Sequence, residues 1–198
     1  MSVSVAAYYD ALLAEGQDPV LDPPVLKEYM DGWDGDRMIA KMHLSPDASV
    51  LELGVGTGRL AVRVAPLCGR FLGVDIAPET AKRAAAHLGA FPNASVLCAD
   101  FLTYPFSERF DIVYSSLTWM HIEQKEAAFQ KVAELLSPDG RFLLSIDKSK
   151  DSEIVFGERK IAVFPDTPEE TERSLFSSGL SLIEILETER AYLFVAKK

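Results

Sequence analysis

VLELGVGTGRL, residues 50–60, is the stretch whose reading decides the fold. Val50, Leu51 and Leu53 make the short apolar run that a strand buried on both faces requires. Gly54, Gly56 and Gly58 follow at two-residue intervals, and a helical pattern begins after them. The order is strand, glycine loop, helix. Such a loop reaches φ > 0 and lets its backbone approach a ligand, while the N–H groups that open the helix carry partial positive charge. A nucleotide-like ligand is expected there. The dinucleotide fingerprint GxGxxG, read from Gly54, needs its third glycine at position 59, where the chain has Arg59.

Composition bounds the rest. A chain of 198 residues with 48% hydrophobic content makes one globular domain with a single sizeable core. Its formal net charge of -10, with no visible Lys/Arg cluster, argues against a nucleic-acid partner. The two cysteines, Cys68 and Cys98, lack metal-ligand spacing and lie in or beside apolar segments, so both read as buried, inert thiols. No apolar run approaches the roughly 20 residues of a membrane span, and no basic n-region leads an apolar core at the amino terminus. The expectation is a soluble cytoplasmic protein with no membrane partner.

Outward from the loop, the remaining elements follow from pattern. Toward the amino terminus, a short helix is predicted from Ala6 to Glu15, ending at Gly16. Pro23-Pro24 launches a second, and a third runs from about Asp36 to His43. Beyond the loop, Leu60 to Leu67 continue as a helix and Phe71 to Val74 form the next strand. That strand ends at Asp75, about 20 positions on, where a carboxylate can hold a ribose diol. NAD enzymes use the same device, so Asp75 supports an adenosine ligand without choosing a cofactor. An alanine-rich helix spans Pro78 to Leu88, and a third strand, Ser95 to Ala99, leads to Asp100 and Phe101. Phe110 to Tyr114 make the fourth strand, Glu123 to Leu136 a helix, Ser137 to Gly140 a tight turn and Arg141 to Ile146 the fifth strand. Asp147 to Glu158 is charged, a loop or partial lid, and Ile161 to Phe164 is a short apolar run beside it. A helix from Pro168 to Phe176 and two last strands, Leu182 to Leu186 and Tyr192 to Ala196, complete the chain.

With Glu52 two residues before the first glycine, ExGxGxG resembles motif I of the class I S-adenosylmethionine (SAM)-dependent methyltransferases, and the likeness covers most of the chain. FDIV at 110–113 resembles the core of motif IV, and LLSPDGRFLLSI at 135–146 the helix-turn-strand that follows it. The resemblance implies an α/β, doubly wound, mostly parallel seven-stranded sheet of order 3-2-1-4-5-7-6 with the last strand antiparallel. It implies a single domain, with residues 1–46 as an N-terminal helical cap over the substrate side and 47–198 as the Rossmann-like core. The implied cofactor is SAM. Glu52, Gly54, Gly56 and Gly58 would supply motif I, and Asp75 the ribose contact. Ile76 would lie beside the adenine, Asp100 accept from its amino group and Phe101 offer a backbone N–H. Ser115, after FDIV, would border the methionine end. In such a cap Tyr8, Tyr9 and Trp33 would face the ligand.

Chemistry then follows from the cofactor. A sulfonium methyl is already activated, so the protein aligns an acceptor lone pair and excludes water. His121, a few residues after the central strand, is the best-placed base, with an ordinary pKa of about 6.5. Tyr9 is the second catalytic candidate. The ring faces of Tyr9 and Trp119 could hold a cationic amine or the sulfonium, and His43 ranks below His121. No His, Asp or Glu grouping has metal-ligand spacing. An Asn/Asp-Pro-Pro-Tyr/Phe segment is missing after the fourth strand, which disfavours base amines and glutamine amides. The expected partner is a small-molecule methyl acceptor reacting at N or O. Two other readings stand beside it: a SAM-binding protein without catalysis, and an NAD-linked oxidoreductase.

Overall fold

Apolar residues on both sides of a strand call for cover on both sides, and the computed structural model, which describes residues 3–198, provides it. The strand before the glycine loop is β1, Ser49–Leu53, with Val50 to Leu53 all buried. Side chains alternate across a strand. Leu51 and Leu53 therefore enter one core and Val50 enters the other. After β1 come α4 (Ala61–Val64), β2 (Arg70–Asp75), α5 (Pro78–Leu88), β3 (Ala94–Cys98), β4 (Phe110–Ser115), α6 (Lys125–Leu135) and β5 (Leu136–Asp147). Then follow β6 (Glu153–Phe156), β7 (Arg159–Ala162), α7 (Pro168–Ser177), β8 (Ser181–Glu187) and β9 (Ala191–Lys197). Before β1 stand α1 (Val5–Ala14), α2 (Pro24–Asp31) and α3 (Gly35–Met42).

The main sheet has seven strands in the order β3-β2-β1-β4-β5-β9-β8. Since β6 and β7 pair only with each other, β8 and β9 are its sixth and seventh strands, and β9 runs antiparallel to β5. This is the doubly wound arrangement that the resemblance implies. One face carries α6 and α7 over Phe129, Val132, Phe142 and Leu175; the other carries α3, α4 and α5 over Met38, Met42, Val64, Ala84 and Leu88. Trp119, fully buried, packs edge-on against Phe129 at 4.8 Å and tilted against Phe142 at 5.6 Å.

Helix ends follow their local chemistry. Ser4 caps α1, Pro24 occupies the first turn of α2, and Thr167 with Glu170 forms a capping box on α7. The helix expected through Leu67 is shorter, because Pro66 lacks an N–H and the chain tightens into a 3-10 turn over Ala65–Leu67.

Three expectations are corrected here. Cys98 is exposed, since β3 is the outermost strand of the sheet, whereas Cys68 is buried. Instead of a loop, the charged 147–158 region and the run after it form the β6–β7 hairpin. That hairpin is fastened to the residues flanking α1, by Val3 N–H donating to the Lys160 carbonyl at 3.2 Å and by an Arg159–Glu15 ion pair at 2.6 Å. Trp33 turns to the sheet end, where its Nε1 donates to Asp147 at 2.7 Å and the Arg190 guanidinium stacks on its ring at 4.8 Å.

Candidate functional site

The carboxyl ends of β1, β2 and β4 open into one cavity of about 440 Å³, roofed by α1 and the residues beside it. Its wall begins where β1 stops. Gly54 takes φ 75°, and a Cβ there would lie 2.1 Å from Thr118 Oγ1, so only glycine lets the loop pass under Thr118. Gly54 and Val55 donate their N–H groups to the Val74 carbonyl at 2.8 and 3.0 Å, which bends the loop over β2. Gly56, at φ 57°, has no atom within 4 Å of its Cβ position and faces open space. Its N–H donates to Asp75 Oδ2 at 2.8 Å, while Asp75 Oδ1 accepts from Ala77 N–H at 2.9 Å. The loop thus holds Asp75 at the cavity wall, where burial raises its carboxyl pKa against the pull of these two amides.

Other predicted residues gather around it. Ile76 stands half exposed at the rim, and Asp100 and Phe101 line the neighbouring wall. Asp100 Oδ1 accepts from Leu102 N–H at 3.0 Å, an Asx turn that fixes the carboxylate. Glu52 lies at the floor, where its Oε2 accepts from the Tyr114 hydroxyl at 2.6 Å. Burial pushes this carboxyl up to about 8, against the Tyr114 hydrogen bond and the Arg59 charge, so at pH 7 its protonated form predominates.

At the other end Tyr9 of α1 meets His121. The Tyr9 hydroxyl lies 2.8 Å from His121 Nε2, and the rings meet edge-on with centroids 5.4 Å apart. Burial first, and then the nearby Lys125 ammonium, lowers the His121 pKa to about 4; burial likewise raises the Tyr9 phenol. Both groups are neutral at pH 7. Tyr9 Oη and His121 Nε2 share one hydrogen bond, whose direction follows the imidazole tautomer, and His121 Nδ1 is a buried atom with no hydrogen-bond partner among the described residues.

Several predicted residues lie elsewhere. Ser115 is fully buried inside the sheet and donates its hydroxyl to the Leu53 carbonyl at 3.1 Å; Ser116 lines the cavity in its place. Gly58 sits behind the loop, in ordinary contact with Ala61 and Ala84. Tyr8 is buried edge-on against Tyr9, Trp119 belongs to the core, and His43 is the exposed left-handed cap of α3. Arg59, which breaks the dinucleotide fingerprint, has a role that sequence reasoning missed. Its guanidinium donates to Asp31 at 2.9 Å, to the buried Asp34 at 2.6 Å and to Ser116 at 2.9 Å, fastening the α2–α3 corner to the glycine loop and to the end of β4. Thr118, Val5 and Met30 also line the cavity, and no local pattern in the sequence marks them.

Among the described residues no grouping of three or more His, Cys, Asp or Glu side chains could hold a metal ion, and no helix is long and apolar enough to cross a membrane. Residues 50–140 match the family model described as "Methyltransferase domain". An uncharacterized methyltransferase of Geobacillus kaustophilus is 27% identical over 159 residues, which cover 77% of this chain and 73% of that protein. The solved structure of magnesium protoporphyrin IX methyltransferase (ChlM) from Synechocystis, with bound SAM, superposes at a TM-score of 0.76 and 16% identity, covering 98% of this chain and 95% of that one. N-methyltransferase NodS from Bradyrhizobium japonicum, in complex with S-adenosyl-L-homocysteine, superposes at a TM-score of 0.73 and 17% identity, covering 99% of both chains. At these identities the likeness to the solved structures is one of fold.

Proposed function

We propose that this chain is a class I SAM-dependent methyltransferase that moves the methyl group of SAM to a nitrogen or oxygen of a small molecule. The observation that carries the reading is the cavity, which joins the glycine loop, Asp75, Asp100–Phe101 and the Tyr9–His121 pair. The residues present fit the cofactor. Open space at Gly56 admits a ligand against the loop backbone, and each Asp75 oxygen keeps a lone pair beyond its amide bond for a ribose hydroxyl. Asp100 Oδ2 has no hydrogen-bond partner among the described residues and is free to accept from an adenine amino group. Phe101 and Ile76 supply apolar contact to the ring, while Glu52 and Gly54 line the end nearest β1. When bound, SAM supplies an electrophilic methyl on sulfonium sulfur.

The chain's own part is position and proton. In the tautomer with the ring proton on Nδ1, the Tyr9 hydroxyl donates to His121 Nε2, and its oxygen, at the cavity wall, is left to accept from an acceptor N–H or O–H. As the acceptor reacts, its proton passes to Tyr9 Oη while the Tyr9 proton passes to Nε2. A histidine with a pKa of about 4 gives this transfer little driving force, so orientation is the larger contribution, up to about 7 to 11 kcal/mol for well-aligned partners. The acidic chain supports a small acceptor over a phosphate backbone.

Thermal shift with SAM, S-adenosylhomocysteine and NAD in parallel tests this. A ligand at 100 times its dissociation constant stabilises by about 2.7 kcal/mol, or about 5 to 11 °C in a domain of this size. Stabilisation by the first two, lost in Asp75→Ala, is expected. Stabilisation by NAD alone would overturn the proposal.

A further inference from the structure

A second cavity, of about 260 Å³, lies past the carboxyl end of β5, between the Trp119–His121 turn and the β6–β7 hairpin. Met120, Ile146, Ile154 and Val163 make its apolar walls, and two backbone bonds hold them: Val163 N–H to the Ser152 carbonyl at 2.9 Å and Phe164 N–H to the Met120 carbonyl at 2.7 Å. Four carboxylates line it: Asp147, Asp151, Glu153 and Asp166. Lysines answer two of them, Lys160 at Glu153 at 2.8 Å and Lys125 at Asp166 at 2.5 Å. Among the described residues no cation lies within ion-pair distance of Asp147 or Asp151. Asp147 accepts only neutral donors, Trp33 Nε1 and Ser149 N–H, and Asp151 accepts from the Ser149 hydroxyl and donates its own N–H to it.

A cluster of acids is common on a surface. Here a second observation points inward. Ser145 is 1% exposed, lines the cavity, and its Oγ has no hydrogen-bond partner among the described residues. A buried hydroxyl left unpaired is unfavourable, a loss that a bound donor removes. Ser145 and Asp147 stand two apart on β5, on one face of the strand. The group that fits is a donor, positively charged and attached to an apolar body. No metal-holding arrangement exists among the described residues, which leaves an organic cation.

We propose that this cavity binds the ammonium group of an amphiphilic amine, with Asp147 and Asp151 as its counter-charge and Ser145 Oγ as a neutral acceptor, and that this ammonium is the end of the methyl acceptor that does not react. An ammonium held by carboxylates keeps its proton and has no lone pair to offer the methyl group. Met120 faces this cavity and the adjacent His121 faces the first, so a single turn separates anchor from reaction site. The assignment of the amine as acceptor rests on the methyltransferase reading; the binding of the amine does not.

Calorimetry on the full chain with 2-phenylethylamine and its uncharged analogue 2-phenylethanol, each with and without S-adenosylhomocysteine, tests it. The amine should bind at least about tenfold more tightly than the alcohol, as expected for hydrogen bonds to a charged group. Asp147→Asn and Asp151→Asn should each weaken the amine about tenfold and leave the alcohol and S-adenosylhomocysteine unchanged. Asp151 is exposed, so its variant folds. Ser145→Ala removes an unpaired hydroxyl and should weaken the amine without lowering Tm. Equal binding of amine and alcohol, no binding of the amine, or amine binding untouched by both Asp variants overturns the inference. Binding of S-adenosylhomocysteine without the amine overturns it alone, and amine binding without S-adenosylhomocysteine overturns the methyltransferase reading and leaves the cavity's assignment standing.

Discussion

Alanine at Gly54 and alanine at Gly56 test whether the loop's two jobs, packing and binding, are divided between neighbouring glycines. At Gly54 a Cβ would meet Thr118 at 2.1 Å from Oγ1, 2.3 Å from Cγ2 and 2.6 Å from Cβ, so Thr118, just past β4, must shift. Overpacking of this kind costs about 1–3 kcal/mol, and a left-handed residue with a Cβ adds about 1–2. The sum, about 2 to 5 kcal/mol, lowers Tm by about 4 to 20 °C in a domain of this size. At Gly56 only the backbone contribution applies, since its Cβ meets nothing, and the loss is about 1–2 kcal/mol. That Cβ instead projects into the space assigned to the cofactor. Urea unfolding, read beside calorimetry with S-adenosylhomocysteine, separates the two effects. Gly54→Ala should show the larger drop in unfolding midpoint; Gly56→Ala should show only the smaller backbone loss and lose ligand affinity by tenfold or more, a change of at least about 1.4 kcal/mol. Equal unfolding midpoints, or Gly56→Ala binding the ligand as wild type does, would refute the reasoning.

Two further predictions concern protons. Glu52 has its carboxyl raised from 4.5 to about 8 in the folded chain, so folding favours the protonated form. Its contribution is full below pH 4.5 and declines as pH rises through about 8, with a slope of at most about 1.4 kcal/mol per pH unit. Glu52→Gln keeps an acceptor for Tyr114 and should flatten the stability profile over that window; an unchanged profile would show that the carboxyl ionises freely. His121 moves the other way, from 6.5 down to about 4, so its contribution is full above pH 6.5 and is lost as pH falls through about 4. Its ring resonances in an NMR titration should shift with a midpoint near 4, and a midpoint near 6.5 would mean that water reaches the ring.

Glu52 also shows why the N-terminal helices matter. Arg59 and Asp34 both act on this buried carboxyl, and both belong to the clamp that joins the α2–α3 corner to the glycine loop. The charge state of the cavity floor is therefore tied to the seating of the helices above it. A departure from the dinucleotide pattern at one position becomes a structural joint here.

The strands, the glycine loop and the acid that closes β2 were legible in the chain because each depends on local spacing: an apolar run, glycines at fixed intervals, an acid at a strand end; the strand order and the part given to Asp100 came from the family resemblance. The three helices before β1 were legible for the same reason, through Gly16, Pro23-Pro24 and the spacing of Met38 and Met42. Contacts across the fold were not. Tyr9 and His121 stand 112 positions apart, and Trp33 and Asp147 stand 114 apart; nothing local joins either pair. Ser115 and Ser116 are chemically identical neighbours, and only the parity of β4, whose side chains alternate between faces, decides which one is buried and which one lines the cavity. Cys98 is apolar by neighbourhood yet exposed by its place on the outer strand, and the charged segment after β5 became the β6–β7 hairpin by pairing with the strand that follows it. Local spacing determined the elements and the glycine loop, because backbone conformation and periodicity are properties of adjacent residues. Packing decided the second cavity and the proton-bearing pair, because burial and distance exist only once the chain has folded.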